Sequence, residues 1–143
     1  MREKTLKFLG LMRKARALEP GESSSGEAVC GGKGKLLLLA SDASPNARKR
    51  AESYTAGRSC LLLELPFTKE ELGGALGKGD CSLAAVTDLG FANALGKRLA
   101  ELSPERYGET AEELARRFSK AVRRKGETAK ERNKWNGKRR TNG

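Results

Sequence analysis

Apolar residues along the chain fall into short unbroken runs that alternate with helically spaced stripes. Leu36–Ala40 is five apolar residues in a row, bounded by turn formers. That run suits a strand buried on both faces, although periodicity leaves a helical segment open. Cys60–Leu65, stopped by Pro66, and Ser82–Thr87 read as two further strands. Between them lie helical signals. Residues 3–17 place Phe8, Leu11, Met12 and Ala15 at i, i+3, i+4 and i+7, with Lys4, Lys7, Arg13, Lys14 and Arg16 outside. Leu18–Pro20 is either a short strand or an exit, and the Gly/Ser-rich stretch after it opens as a loop, with a weak helix from about Ser23 to Gly31. Ser44 followed by Pro45 reads as an N-cap with proline at the first helical position; Ala47, Ala51 and Tyr54 then face inward, Arg48, Lys49 and Arg50 outward, and Gly57 stops the helix. Thr68 with Glu71 forms a capping box for a helix through Leu72 and Leu76, and Ala92, Leu95, Leu99 and Leu102 mark another over Leu89–Leu102. This alternation predicts an α/β layer with a mostly parallel sheet and helices on both faces.

Beyond residue 102 the pattern changes. Ser103–Gly108 reads as a boundary, Thr110 and Glu113 as a second capping box, and Ala111, Leu114, Ala115, Phe118, Ala121 and Val122 as a stripe that must pack on the domain or on a partner. From Ser119 onward ten Lys/Arg face two Glu. Such a composition cannot bury enough surface to fold alone, so it predicts a basic, disordered tail suited to phosphate backbones, with Trp135 as a stacking platform. The alternative is a solvated tail that only aids solubility, but the one-sided sign of the charge favours the nucleic-acid reading. The expected division is one domain over residues 1–102 and an amphipathic helix with its tail over 103–143.

Composition narrows the partners. The 143 residues are 37% hydrophobic and 33% charged, with a net charge of +11. That balance implies a polyanion, either nucleic acid or an anionic membrane surface. No apolar run approaches the roughly 20 residues of a membrane span, and Met1–Gly10 lacks a signal-peptide core. The expectation is a soluble cytoplasmic protein. Cys30, Cys60 and Cys81 form no CxxC pair and the chain has no histidine, so reduced, buried thiols are expected rather than a zinc site or a disulfide framework.

Candidate chemistry is sparse. Gly31–Lys35 (GGKGK) invites a nucleotide-loop reading, but its spacing is wrong and it precedes a strand, where a P-loop follows one. Asp42 and Asp88 both follow predicted strands. They could pair to bind Mg²⁺ or share acid–base work, although each reads more simply as a turn or cap residue. Serine or cysteine catalysis with a histidine base is excluded. No cofactor is indicated.

A family resemblance rests on the order of several motifs. Gly32-Lys33-Gly34-Lys35-Leu36, the run to Ala40 with Asp42 and Pro45, Lys69-Glu70-Glu71-Leu72-Gly73 and Ala85-Val86-Thr87-Asp88 together resemble the L-seven-Ae ribosomal protein family. VTDLGFA at 86–92 and the LMRKARAL start are similar to its bacterial, YlxQ-type branch. The resemblance covers about residues 5–100. It implies a three-layer α/β/α sandwich with a small mixed sheet that binds structured RNA, typically kink-turns, in or around the ribosome; the C-terminal helix and basic tail lie outside it.

The family grips RNA at the start of its second helix through a glycine, an Asn-Glu pair and a lysine. Gly21 matches the glycine, Ser23 and Ser24 hold the Asn and Glu positions, Glu27 holds the lysine position, and Gly31 replaces a basic residue one turn later. The resemblance implies that backbone N–H groups and the two hydroxyls contact phosphates there. A second RNA-facing loop falls at Gly77–Ser82 with Lys78. The expected RNA-binding residues are thus Gly21, Ser23, Ser24, Lys33, Lys35 and Lys78, joined by Arg123, Arg124, Lys125, Trp135, Arg139 and Arg140 of the tail. The expected partner is structured RNA, ribosomal RNA or the ribosome, and not a membrane. The alternative is a small Mg-dependent enzyme acting on nucleotide or RNA through Asp42 and Asp88.

Overall fold

Leu36–Leu39 are all buried, as a strand covered on both faces must be. They form the second strand of a computed structural model that describes residues 2–142, with side chains through Lys125. The elements are α1 (Arg2–Lys14), β1 (Leu18–Pro20), α2 (Glu22–Cys30), β2 (Leu36–Leu39), α3 (Pro45–Thr55), β3 (Leu61–Glu64), α4 (Lys69–Leu76), β4 (Leu83–Val86), α5 (Leu89–Leu102) and α6 (Pro104–Asn142). The sheet has four strands in the order β1-β4-β2-β3. Helices α2 and α3 pack against one another on one side, while α1 packs with α4 and α5, and α6 lies along α5. The result is the three-layer α/β/α sandwich with a small mixed sheet.

A mostly parallel sheet is not what forms. Only β2 and β3 run parallel; β4 is antiparallel to both β1 and β2. The reason lies in α4. It has eight residues, about 12 Å of helix, and it packs on α1 rather than running back along the sheet. Ala40 N–H donates to Ser82 O and Ser41 N–H to Phe67 O, so the chain leaves β3 and re-enters β4 at the same end. That end, where β2 finishes, is called the carboxyl end below, and the opposite one the amino end.

Local signals hold where capping chemistry is explicit. Ser44 Oγ accepts from Ala47 N–H at 3.1 Å. Thr68 and Glu71 make the reciprocal capping box, at 3.2 and 3.1 Å. Asp88 caps α5 through Phe91 N–H at 2.9 Å. Two helices differ from expectation. In α1 the buried residues are Thr5, Leu9 and Met12, while Leu11 is 54% exposed. Gly10 lies against Ala75 O, so α4 approaches that side of α1, and Phe8 is half-buried between Phe91 and the Arg98 guanidinium. Helix α6 begins at Pro104 rather than at Thr110, because Ser103-Pro104 is itself a start: Tyr107 N–H donates to Ser103 O at 3.0 Å.

Helix α6 runs as one element to Asn142 where the composition implied a helix and then a disordered tail. A single helix closes its own backbone hydrogen bonds and needs no core of its own to do so. The side chains of residues 126–142, including the candidates Trp135, Arg139 and Arg140, lie outside the described residues. The buried contacts of α6 are Tyr107 and Leu114, both members of the one hydrophobic cluster. Gly96 makes the α5–α6 crossing close, since a Cβ there would stand 2.9 Å from Leu114 Cδ1. The helix also covers the open edge of β3: Tyr107 Oη donates to Glu64 O at 2.7 Å, and Arg117 donates to Ser59 O. An exposed strand edge is a template for unwanted pairing, and here a helix screens it. No helix among the described residues is long and apolar enough to cross a membrane.

Candidate nucleic-acid interface

Helix α2 starts without a side-chain cap. Its N-cap, Gly21, sits at φ 99° and ψ 154°, a conformation open essentially to glycine alone. Among the described residues no side-chain oxygen caps the N–H groups at this start, which leaves a partial positive charge at that helix end. Gly21 N–H donates to Leu83 O at 2.9 Å, fixing this end at the carboxyl end of the sheet. There it meets the other loop that the family resemblance singles out. A Cβ at Gly21 would stand 3.3 Å from Lys78 Nζ, so the ammonium lies over the start of α2.

Lys78 is placed by glycines. The αL cap at Gly77 (φ 70°) ends α4, and Lys78 N–H donates to Gly73 O at 2.8 Å. The chain then doubles back so closely on α4 that a Cβ at Gly73 would overlap Gly79 O. Arg13 of α1 donates to Leu76 O, satisfying a carbonyl at the end of α4. Beneath the loop the Cys81 thiol is pushed up in pKa by burial. Glu22, at the first position of α2, is held by Arg50 of α3 at 2.6 Å.

A groove of about 560 Å³ runs along the exposed side of α2. Ser24, Glu27, Gly31 and Lys33 line one wall, with Arg16, Glu19 and Thr87 also bordering it. The family positions on α2 thus share one surface with Lys33. Arg16 was missed as a candidate by sequence reading. Among the described residues it is the non-glycine residue with positive φ, 60°, a strain of order 1 kcal/mol, and it turns the chain from α1 into β1. The only sequence hint was its place directly after a helix. Lys35 does not join this group. Its N–H donates to Val86 O at 2.7 Å at the amino end of the sheet, roughly 16 Å along the strands from Ala40. Arg123, Arg124 and Lys125 are exposed on α6 beyond Arg117, which contacts Ser59 at that same amino end.

The two aspartates do not make a site. Asp42 Oδ1 accepts from Lys69 N–H at 2.7 Å, tying the turn after β2 to the start of α4 at the carboxyl end. Asp88 follows β4, which runs antiparallel to β2, and so stands at the amino end. Both do follow strands, but opposite strand directions put them at opposite ends, too far apart to share an ion or a proton. Among the described residues no cluster could hold a metal. Cys60 and Cys81 are buried free thiols, whereas Cys30, expected to be buried, is exposed where α2 ends. Burial pushes the Cys60 thiol up to about 11.

No family model matches the chain. It is 36% identical over 92 residues to the RNA-binding protein YlxQ of Bacillus subtilis (strain 168), a match covering 62% of this chain and 87% of the relative. A protein of unknown function from Bacillus halodurans C has a similar structure, with a TM-score of 0.60, 31% identity, and 66% of this chain and 94% of that one covered. The Giardia lamblia 15.5kD RNA binding protein superposes with a TM-score of 0.53 over 71% of this chain and 82% of its own. At 20% identity that last likeness is one of fold.

Proposed function

Because the chain belongs to the family of the RNA-binding protein YlxQ, we propose that it binds RNA, and that its target is a structured, kink-turn-like RNA in or around the ribosome. The grip lies at the start of α2, with Lys78 and the α2 groove beside it and the basic part of α6 adding phosphate contacts. The observation that carries this reading is the meeting of Gly21 and Lys78, 57 positions apart in the chain, with Nζ 3.3 Å from where a Cβ of Gly21 would be. An uncapped helix start and an ammonium aimed at one point form an anion site. A sharp RNA bend brings two phosphate strands near each other, which such a compact site can engage together, and RNA is recognised largely through shape of this kind. Ser23 and Ser24 stand exposed on the same turn and can donate to phosphate or ribose oxygens. They are shorter than the family's Asn and Glu, so the contacts they make are to the backbone more than to base edges.

The test is equilibrium binding of a kink-turn RNA against a straight duplex of the same length and composition. We expect the kink-turn to bind at least tenfold more tightly, and Lys78→Glu to abolish most of that preference. Equal affinity for the two RNAs would refute the kink-turn reading, and no binding to either would refute RNA binding itself. Co-sedimentation of the protein with ribosomes at low salt, lost at high salt, is the expected outcome for the ribosomal part.

A further inference from the structure

The amino end of the sheet carries its own row of cations. Arg16 stands just before β1, Lys35 just before β2 and Arg58 just before β3, while Arg117 of α6 donates to Ser59 O beside them. Backbone hydrogen bonds run across this end without a gap. Thr87 N–H donates to Ala17 O, Lys35 N–H to Val86 O, and Leu61 N–H to Lys35 O. With the strand order β1-β4-β2-β3, the row from Arg16 to Arg58 crosses three inter-strand steps, about 15 Å.

These cations are held open rather than spent. Arg16, Lys35 and Arg58 are exposed and make no ion pair among the described residues. Arg58 Nη1 reaches Cys30 O at 3.4 Å, which anchors the base of its guanidinium side to the end of α2. The acidic groups nearby are mostly engaged. Asp88 caps α5, and Glu113 takes Arg117 Nε at 2.9 Å together with Arg116. Glu19 and Glu27 face Arg16 only across the α2 groove. Beyond Arg117, α6 continues with the exposed Arg123, Arg124 and Lys125. Leu18, Leu36 and Cys60 behind the row are buried, and Val122 on α6 is the exposed large apolar side chain beside it among the described residues, too little for the clustered apolar anchors a protein partner uses.

We propose that this row is a second RNA-backbone site, separate from the Gly21–Lys78 end, and that the chain bridges two RNA segments. The inference rests on the RNA reading above and goes beyond it. A cation line about 15 Å long fits several successive phosphates of one strand rather than a single nucleotide. The two sites lie at opposite ends of the same strands, roughly 16 Å apart, one where β2 finishes and the other where it begins. The row reads no sequence, because it meets only phosphates. Its ligand class is therefore any A-form duplex, whereas the other end prefers a bent RNA.

The experiment is a two-RNA capture assay with the full chain. A kink-turn RNA is immobilised, protein is added, and retention of a fluorescent straight hairpin without a kink-turn is measured. We expect the native chain to retain the hairpin. The double variant Lys35→Glu/Arg58→Glu should keep its affinity for the immobilised RNA within threefold and lose at least tenfold in hairpin capture. Lys78→Glu should do the reverse, weakening the first RNA and sparing direct hairpin binding. Thermal melting checks that the exposed double variant stays folded, and the charge-neutral Lys35→Gln/Arg58→Gln serves in its place if it does not. Kink-turn binding with no hairpin retention by the native chain overturns the bridge alone. Equal loss of both RNAs in the double variant overturns the separation of the sites, and absence of any RNA binding overturns this inference and the proposed function together.

Discussion

Replacing Glu27 by Lys reads the α2 surface most directly. The carboxylate is exposed on the groove wall with Ser24 and Lys33, and with Arg16 also at the groove. It lies one helical turn from Ser23, at the position where the family resemblance expects a lysine. A phosphate docked at the start of α2 would sit about 7 Å from it, where two unit charges in water interact by roughly 0.6 kcal/mol. Screening over a Debye length of ~8 Å reduces that repulsion to about 0.25 kcal/mol at physiological salt. A lysine at the same position removes the repulsion and gains a phosphate contact near 4 Å, about 1 kcal/mol before screening. The removed repulsion and the new contact together come to about 1–2 kcal/mol at low salt, or five- to thirtyfold in Kd.

Stability should not confuse the result, because a cation in the second half of α2 suits the helix dipole by a few tenths of a kcal/mol. The assay is kink-turn RNA binding by fluorescence anisotropy at two salt concentrations, with Glu101→Lys as control. Glu101 is exposed near the end of α5 and borders Lys4 and Arg98 rather than the α2 groove. Equal gains from both substitutions would show that only bulk charge had changed. A weaker complex after Glu27→Lys would show that Glu27 orients Arg16 and Lys33, and the anion site would then have to be moved off this face.

Three further outcomes follow from the packing and the charges. Gly73→Ala should cost about 2 kcal/mol or more, because its Cβ would overlap Gly79 O; it should also weaken kink-turn binding by displacing Lys78, and a urea-unfolding free energy within about 0.5 kcal/mol of the native protein's would refute the close approach. The Glu71 carboxyl is held below its usual pKa, first by the Thr68 N–H and then by Arg2. Its ionised form therefore stabilises the fold above its ordinary pKa, a contribution lost as pH falls through the depressed value. Glu71→Gln should thus lower the urea midpoint near neutrality, and the gap should narrow as the pH falls into the acid range; a gap that does not narrow in acid would contradict the sign. Removing residues 119–143, with ten Lys/Arg, should flatten the slope of log K against log salt by several steps of about 0.7–0.9, and an unchanged slope would make that segment a bystander.

What could be read from the sequence was local chemistry with a fixed reach. Ser44-Pro45, Thr68 with Glu71, and Asp88 before Leu89 each specify a helix start from residues within one turn, and all three caps form. The run Leu36–Leu39 specifies a doubly covered strand because every residue in it is apolar. Faces were less legible. A stripe through Phe8, Leu11 and Met12 satisfies helical spacing as well as one through Thr5, Leu9 and Met12. The choice is made by the approach of α4 at Gly10, which no window on α1 contains. Tyr107 was read as part of a boundary, yet its ring is buried and its hydroxyl reaches β3 across 43 positions. Such a pairing leaves no periodic trace.

The candidate site shows why grouping fails even where residues are named well. Gly21, Ser23, Ser24, Lys33, Lys35 and Lys78 could all be singled out one at a time, but whether they meet depends on strand direction, and direction is invisible to hydrophobic patterning. One fact, that β4 runs antiparallel to β2, decides three things at once. It carries Ser82 to the carboxyl end, so Lys78 reaches Gly21. It sends Asp88 to the amino end, away from Asp42, and removes the shared carboxylate site. It also lays Val86 beside Lys35, which splits Lys35 from Lys78, while the parallel pairing of β2 with β3 sets Lys35 beside Arg58. The antiparallel return follows from an eight-residue α4 that spans only about 12 Å and stays with α1. Lengthening α4 enough to cross the sheet would make the return parallel, bring the two aspartates to one end and carry Lys78 away from Gly21 to the end that holds Lys35 and Arg58. The division of the positive charge between two ends of this molecule is thus a consequence of one short helix, more than of where lysine and arginine fall in the chain.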